Sequence, residues 1–274
     1  MERILLVQNA THPNNASLHF ACKIAAMTSS RLTGLFIENL YYTYIPAGTI
    51  DNPAYFAVED TATVEKADIE QTIRIFNDTC ARYAINADTS TDKGMPAEEV
   101  ILESRFADLV IIDPAINFYN REEAIPSDFL KAILTNAECP VMLAPEEYDH
   151  LDEIIFCYDG SASSVFAIKQ FTYLFPRLSG KKAMLLEVKH AAGLEFSETD
   201  SKMMEWLRLH YSHVYYNALK GDVEDELFAF LFLKKNMFVV MGAYGRSMFS
   251  KFFHKSHADL LIRAVDLPLF ITHH

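Results

Sequence analysis

The chain has 274 residues, half of them hydrophobic, and a formal net charge of -13. That is enough apolar material for one large domain or for two of roughly 130–150 residues. Basic residues cluster in nothing longer than pairs such as Lys181-Lys182 and Lys234-Lys235, which argues against nucleic-acid binding, because a phosphate backbone demands a clustered basic surface.

The chain opens on a strand pattern. Glu2-Arg3 leads into Ile4-Leu5-Leu6-Val7 and then Gln8-Asn9, a run far too short for a secretory or membrane segment. Small and polar residues from Ala10 to Ser17 precede an amphipathic helix pattern, Leu18 to Thr28, and a second strand pattern, Leu32 to Ile37. Tyr41 to Glu59, rich in Tyr, Pro and Ala, reads first as a loop and otherwise as a lid or partner surface. A further strand pattern, Leu109 to Ile112, ends at Asp113. A helix then runs through Cys139-Pro140 into a last strand, Val141 to Leu143; proline just before a strand suits its missing N–H.

The polar stretch Pro145 to His150 marks a boundary, and the order repeats after it. Asp152-Glu153-Ile154-Ile155-Phe156-Cys157-Tyr158-Asp159 parallels the opening, and Val165 to Leu174 and Ala183 to Val188 give the next helix and strand patterns. Leu227 to Leu233, the longest apolar stretch, is closed by Lys234-Lys235 and suits a buried helix rather than a bilayer span. Lys235 to Gly242 parallels Phe106 to Asp113, and Asp266-Leu267-Pro268-Leu269-Phe270-Ile271 parallels Glu138 to Leu143. Continuous Val/Ile/Leu runs separated by helices argue for parallel strands covered on both faces. Right-handed crossovers then fix a doubly wound arrangement. The expected fold is α/β, two tandem doubly wound parallel five-stranded sheets of Rossmann-like type, with domains 1–146 and 151–274.

The stretch most suggestive of a ligand follows the strand pattern Met237 to Met241. Gly242 and Gly245 let the backbone approach a polyphosphate, Arg246 makes the loop cationic, and Ser256 stands at a helix N-cap with Asp259 three positions on. Asp159, at the end of a neighbouring strand, is placed to accept ribose or adenine hydrogen bonds in the crevice. Each has a plainer reading: the glycines as a tight turn, Ser256 as a cap alone, Asp159 as part of an Asp-Gly-Ser turn. In the first half Asp113 and Ile116 take the places of Gly242 and Gly245, Pro126-Ser127 stands roughly where Lys255-Ser256 does, and Asn9 replaces Asp159. A carboxylate at the phosphate end repels the ligand, so no nucleotide is expected there.

Gly242, Gly245, the nine residues Arg246 to His254, then Lys255-Ser256, together with Tyr158-Asp159-Gly160-Ser161, resemble the universal stress protein family. Members of that family that bind ATP carry Gly-x-x-Gly, nine residues, then Gly-Ser or Gly-Thr; here Lys255 replaces the third glycine. The resemblance implies a tandem member with adenine recognised at Tyr158, Asp159 and Val188, and phosphates at Gly242, Gly245 and Ser256. It also implies antiparallel pairing between Val141–Ala144 and Leu269–Thr272, through which a tandem chain mimics a homodimer internally. Lys255 has two outcomes: folded outward it adds a cation for the phosphates, and folded inward it fills their place.

The resulting expectation is a cytoplasmic, non-enzymatic stress-response module that binds ATP weakly in its second half alone, without membrane insertion. The alternative is an ATP-cleaving enzyme of the adenine-nucleotide α/β group with slow hydrolysis. No Gly-x-Ser-x-Gly elbow or full Walker motif is present. His210 and His213, and His254 and His257, have helical metal spacing but no obvious third ligand, so no metal is expected. The four cysteines, Cys22, Cys80, Cys139 and Cys157, lack C-x-x-C spacing and read as reduced core residues.

Overall fold

The computed structural model describes residues 1–38, 57–92, 95–118, 125–189, 196–243 and 265–273. The chain runs β1 (Arg3–Asn9), α1 (Asn15–Thr28), β2 (Arg31–Ile37), α2 (Ala57–Arg82), β3 (Ala87–Asp92), α3 (Pro96–Ser104), β4 (Leu109–Ile112), α4 (Asp128–Asn136) and β5 (Val141–Leu143). It continues with β6 (Glu153–Tyr158), α5 (Ala162–Leu174), β7 (Lys182–Lys189), α6 (Glu198–Arg208), β8 (His213–Lys220), α7 (Val223–Leu231), β9 (Met237–Ala243) and β10 (Leu269–His273). Of the Tyr41–Glu59 segment, all but the first residues of α2 lie outside the described residues.

The strands form one ten-stranded sheet in the order β3-β2-β1-β4-β5-β10-β9-β6-β7-β8. Neighbours are parallel throughout except at the centre, where β5 and β10 run antiparallel with Met142 opposite Phe270. The resemblance implied antiparallel pairing of Val141–Ala144 with Leu269–Thr272, and at that place the structure joins the two halves into one sheet, because each half ends in a short strand with apolar side chains on both faces. Val141, Met142, Leu143, Leu269, Phe270 and Ile271 are all buried, and neither strand is left with an open edge.

Pleating sorts the strand residues into two cores. Ile4, Leu6, Ile154 and Phe156 face one layer of helices, and Leu5, Val7, Ile155 and Cys157 face the other. The first core crosses the seam. Phe171 of α5 meets Phe270 edge-on at 5.2 Å, and Phe20 of α1 and Tyr148 pack edge-on at 5.1 Å beside Phe238 of β9. The boundary stretch is therefore docked: burial pushes the Tyr148 phenol up to about 12. Its carbonyl accepts from Lys23, and Asp266 takes hydrogen bonds from the Glu146 and Glu147 amides at 2.6 and 3.2 Å.

Glu153 opens β6 with 7% of its surface exposed, and its Oε1 has no hydrogen-bond partner among the described residues. Burial raises its pKa, with Lys182 and Lys234 pulling the other way. A carboxyl held above its unfolded value favours the fold most when protonated, so this contribution is lost as pH rises through the folded pKa. Glu153→Gln keeps the shape and removes the charge. Urea denaturation at pH 7 should show the variant more stable by about 1–2 kcal/mol, with the difference vanishing below about pH 4.

Candidate functional site

The strand order reverses between β9 and β6; crevices at such points are where open α/β sheets place ligands. The register Phe156↔Val240 sets the two strand ends side by side, so Asp159 and Gly242 share one end of the sheet. Tyr158 lies opposite Glu187 of β7, which puts Val188 one step further along, level with Asp159. Asp159, Val188 and Gly242 are thus brought together as the sequence suggested. Gly245, Arg246, Lys255 and Ser256 lie outside the described residues, as do His254 and His257.

The local turn after β6 is fixed by its own residues. Asp159 Oδ1 accepts from the Ser161 amide at 2.9 Å. Gly160 takes φ +75°, the left-handed region that favours glycine. Ser161 Oγ then caps α5 by accepting from the Ser164 amide at 3.1 Å. Asp159 remains exposed at the mouth of the crevice.

Gly242 has a defined physical reason to be glycine. A Cβ there would stand 2.6 Å from the carbonyl carbon and oxygen of Ser163 and 2.8 Å from the Ser164 amide nitrogen. Its absence lets the first turn of α5 lie directly against the end of β9. This close approach aims the positive end of the α5 dipole at the crevice. The Tyr158 side chain points away from the crevice mouth into the core. Its ring is 3% exposed, within the aromatic core, and burial raises its pKa while a hydrogen bond with Thr199 lowers it. Its side chain is committed to packing, which leaves main-chain groups for any ligand. Val188 is half-buried against the opposite core.

A polar cluster beside the crevice was not anticipated from the sequence. Lys189 Nζ lies 2.9 Å from Asp200 Oδ2 and 3.1 Å from Glu187 Oε2. The Tyr216 hydroxyl donates to Glu187 Oε2 at 2.7 Å. Asp200 also closes a capping box with Ser197 at the start of α6. Burial disfavours charge on both Lys189 and Asp200, yet hydrogen bonds outweigh it: those to Asp200, Tyr216 and Glu187 raise the lysine pKa, and those from the Ser197 amide and Lys189 lower the aspartate pKa. The cluster clamps the end of β7 to the start of α6. Ser197-x-x-Asp200 was a legible signal for the box; the lysine's partners come from β7 and β8 and were not.

At the matching place in the first half the polar side chains are tied to neighbouring protein groups. Asn9 Oδ1 accepts from the Thr11 and His12 amides at 3.0 and 3.1 Å, and its Nδ2 donates to the Asn117 carbonyl at 2.7 Å. Asp113, at the end of β4, accepts from Asn14 Nδ2 at 2.6 Å and from the Ala115 amide at 2.8 Å. Asn14 is the N-cap of α1, so a carboxylate stands at that helix's N-terminus. Ile116 is buried. Ser127, the counterpart of Ser256, caps α4 by accepting from the Leu130 amide at 3.1 Å. A cavity of about 160 Å³ beside Asp113 is walled by Asn14, Ile125, Leu143, Val265 and Leu267.

Among the described residues there is no group of three or more side chains suited to a metal. His210 packs against Trp206, tilted at 41° with centroids 4.2 Å apart. No helix among the described residues is long and apolar enough to cross a membrane.

No protein-family model matches the sequence, and no curated protein matches it. Solved structures do match the fold. A universal stress protein from Archaeoglobus fulgidus superposes with a TM-score of 0.69 at 15% identity, over 98% of each chain. A functionally unknown protein from Pseudomonas aeruginosa gives 0.60 at 15% identity, covering 100% of this chain and 92% of its own. A candidate universal stress protein from the same species gives 0.61 at 14% identity, over 100% and 93%. The tandem fold is that of universal stress protein structures.

Gly242→Ala tests the close approach. It forces the α5 N-terminus off β9 and should cost about 1–3 kcal/mol in urea denaturation. Gly180→Ala, whose added Cβ meets nothing within 4 Å, is the matched control and should change stability by less than about 0.5 kcal/mol.

Proposed function

We propose that the chain is a cytoplasmic, non-enzymatic stress-response module of two domains, 1–146 and 151–274, that binds an adenine nucleotide weakly and in the second domain alone. The observation that carries this reading is the contrast between the two strand-end crevices. In the second half a glycine brings a capped helix N-terminus over the end of β9, beside an exposed Asp159. In the first half the same place holds the Asp113 carboxylate, hydrogen-bonded to the helix cap. An anion is favoured at a helix N-terminus and repelled by a fixed carboxylate.

On this reading Asp159 and the main chain at Tyr158 and Val188 recognise the adenosine. Gly242, Gly245, Arg246 and Ser256 hold the phosphates, and Lys255 sets the affinity. The likeness of fold to universal stress protein structures supports the assignment of the module. The non-enzymatic reading is supported by Asp159 already accepting from the Ser161 amide and by Glu187 and Asp200 being engaged by Lys189. Hydrolysis would need a placed water and usually a metal ligand. Self-association into a homodimer would have to use another face, because β5 and β10 are already paired with each other.

Isothermal titration of the full chain with ATP and with AMP tests the proposal. The expected result is one site per chain, weakened about tenfold or more by Asp159→Ala, as for loss of a hydrogen bond to a charged group. Two sites per chain would overturn the restriction to the second half, and no saturable heat with either nucleotide would overturn binding. ADP or AMP appearing from ATP and Mg²⁺, and lost in Asp159→Ala, would favour the enzyme. Lys255→Gly reads the lysine's role: gained affinity means obstruction, lost affinity means phosphate contact.

A further inference from the structure

Cys22 and Cys80 are far apart in sequence but meet between α1 and α2, with their sulfur atoms 3.9 Å apart. Both are buried, at 0% and 1% exposure. Of the other two cysteines, Cys157 lies inside β6 and Cys139 at the entry to β5. We propose that Cys22 and Cys80 form a peroxide-sensitive dithiol, a modification site that closes to an intrachain disulfide and ties the end of α2 to α1.

The geometry leaves little to move. A disulfide needs its sulfur atoms about 2.0 Å apart, and these begin in van der Waals contact on two helices. Access comes from the position of Cys80. It sits in the last turn of α2, which ends at Arg82, two residues before Ala84 at φ +54°. Helix ends open locally at low cost, and hydrogen peroxide is small enough to enter a frayed turn. The contact also sets the order of events: its hydrogen bond raises the Cys22 pKa and lowers that of Cys80, so Cys80 ionises first.

The chemistry balances with one peroxide. The Cys80 thiolate attacks one peroxide oxygen, the O–O bond breaks, and hydroxide leaves, giving the Cys80 sulfenic acid. Cys22 then attacks that sulfur, the S–O bond breaks, and the oxygen departs as water with the Cys22 proton. Two thiols are oxidised to one disulfide and the peroxide is reduced to two waters. Because the pair closes a long loop, the cross-link restricts the unfolded chain and stabilises the fold.

The test is hydrogen peroxide added to the full-length folded protein, followed by thiol counting in denaturant and peptide mass mapping. Free thiols should fall from four to two, with a single Cys22–Cys80 linked peptide pair two hydrogen masses lighter than the reduced pair. The thermal midpoint should rise by about 5 °C or more and return on dithiothreitol treatment. In Cys139→Ser the free thiols should fall from three to one, with the same linked peptide pair and the same thermal shift. Four surviving thiols, oxidation confined to Cys139, or separate sulfinic acids on Cys22 and Cys80 would each overturn the proposal. Wild-type mapping decides the matter without a core substitution that could unfold the chain.

Discussion

Three residue pairs close the sheet: Val141 against Ile271, Met142 against Phe270, and Leu143 against Leu269. Without them each half would present a short apolar strand with its backbone N–H and C=O groups unmet, a template for association with any other chain. Antiparallel pairing at this one place also dictates how the halves face each other. It lets Tyr148 fill the space between Phe20 and Phe238, while Phe270 packs under Phe171 and Phe175 of its own half. The hydrophobic effect supplies most of the energy at this seam, and the ladder supplies its direction.

The two crevices follow from the same strand order, and their differences come from a few side chains. At the β9 end, a glycine admits the backbone of α5. At the β4 end, Asp113 is a polar plug whose oxygens are met by Asn14 and Ala115. The Lys189–Asp200–Glu187 cluster adds rigidity beside the second crevice, since a buried ion pair of this kind persists only where every charge is met.

Much of the architecture was legible in the sequence. The inner strands are continuous apolar runs because both their faces are covered. β3, Ala-Asp-Thr-Ser-Thr-Asp, was not legible, since an outer strand with exposed side chains carries no apolar alternation. Strand ends at Asp159 and Gly242 were readable, but the direction of the Tyr158 ring was not. A strand residue's face depends on the pleat phase, and the ring falls on the same side as Phe156 and Ile154. The Cys22–Cys80 contact and the Lys189 cluster are equally silent in sequence, because their partners come from separate elements. The joining of the halves through β5 and β10 came from the resemblance and not from the strand patterns, because such strand ends look alike whether they pair with each other or with a second molecule.

Native-state hydrogen exchange at the central seam is the most direct test. The account predicts that amides of Val141–Leu143 and Leu269–Ile271 are protected as strongly as those of β1 and β6. Exchange at these six residues as fast as in the outer strand β3 would contradict it, because the two halves would then not share one sheet.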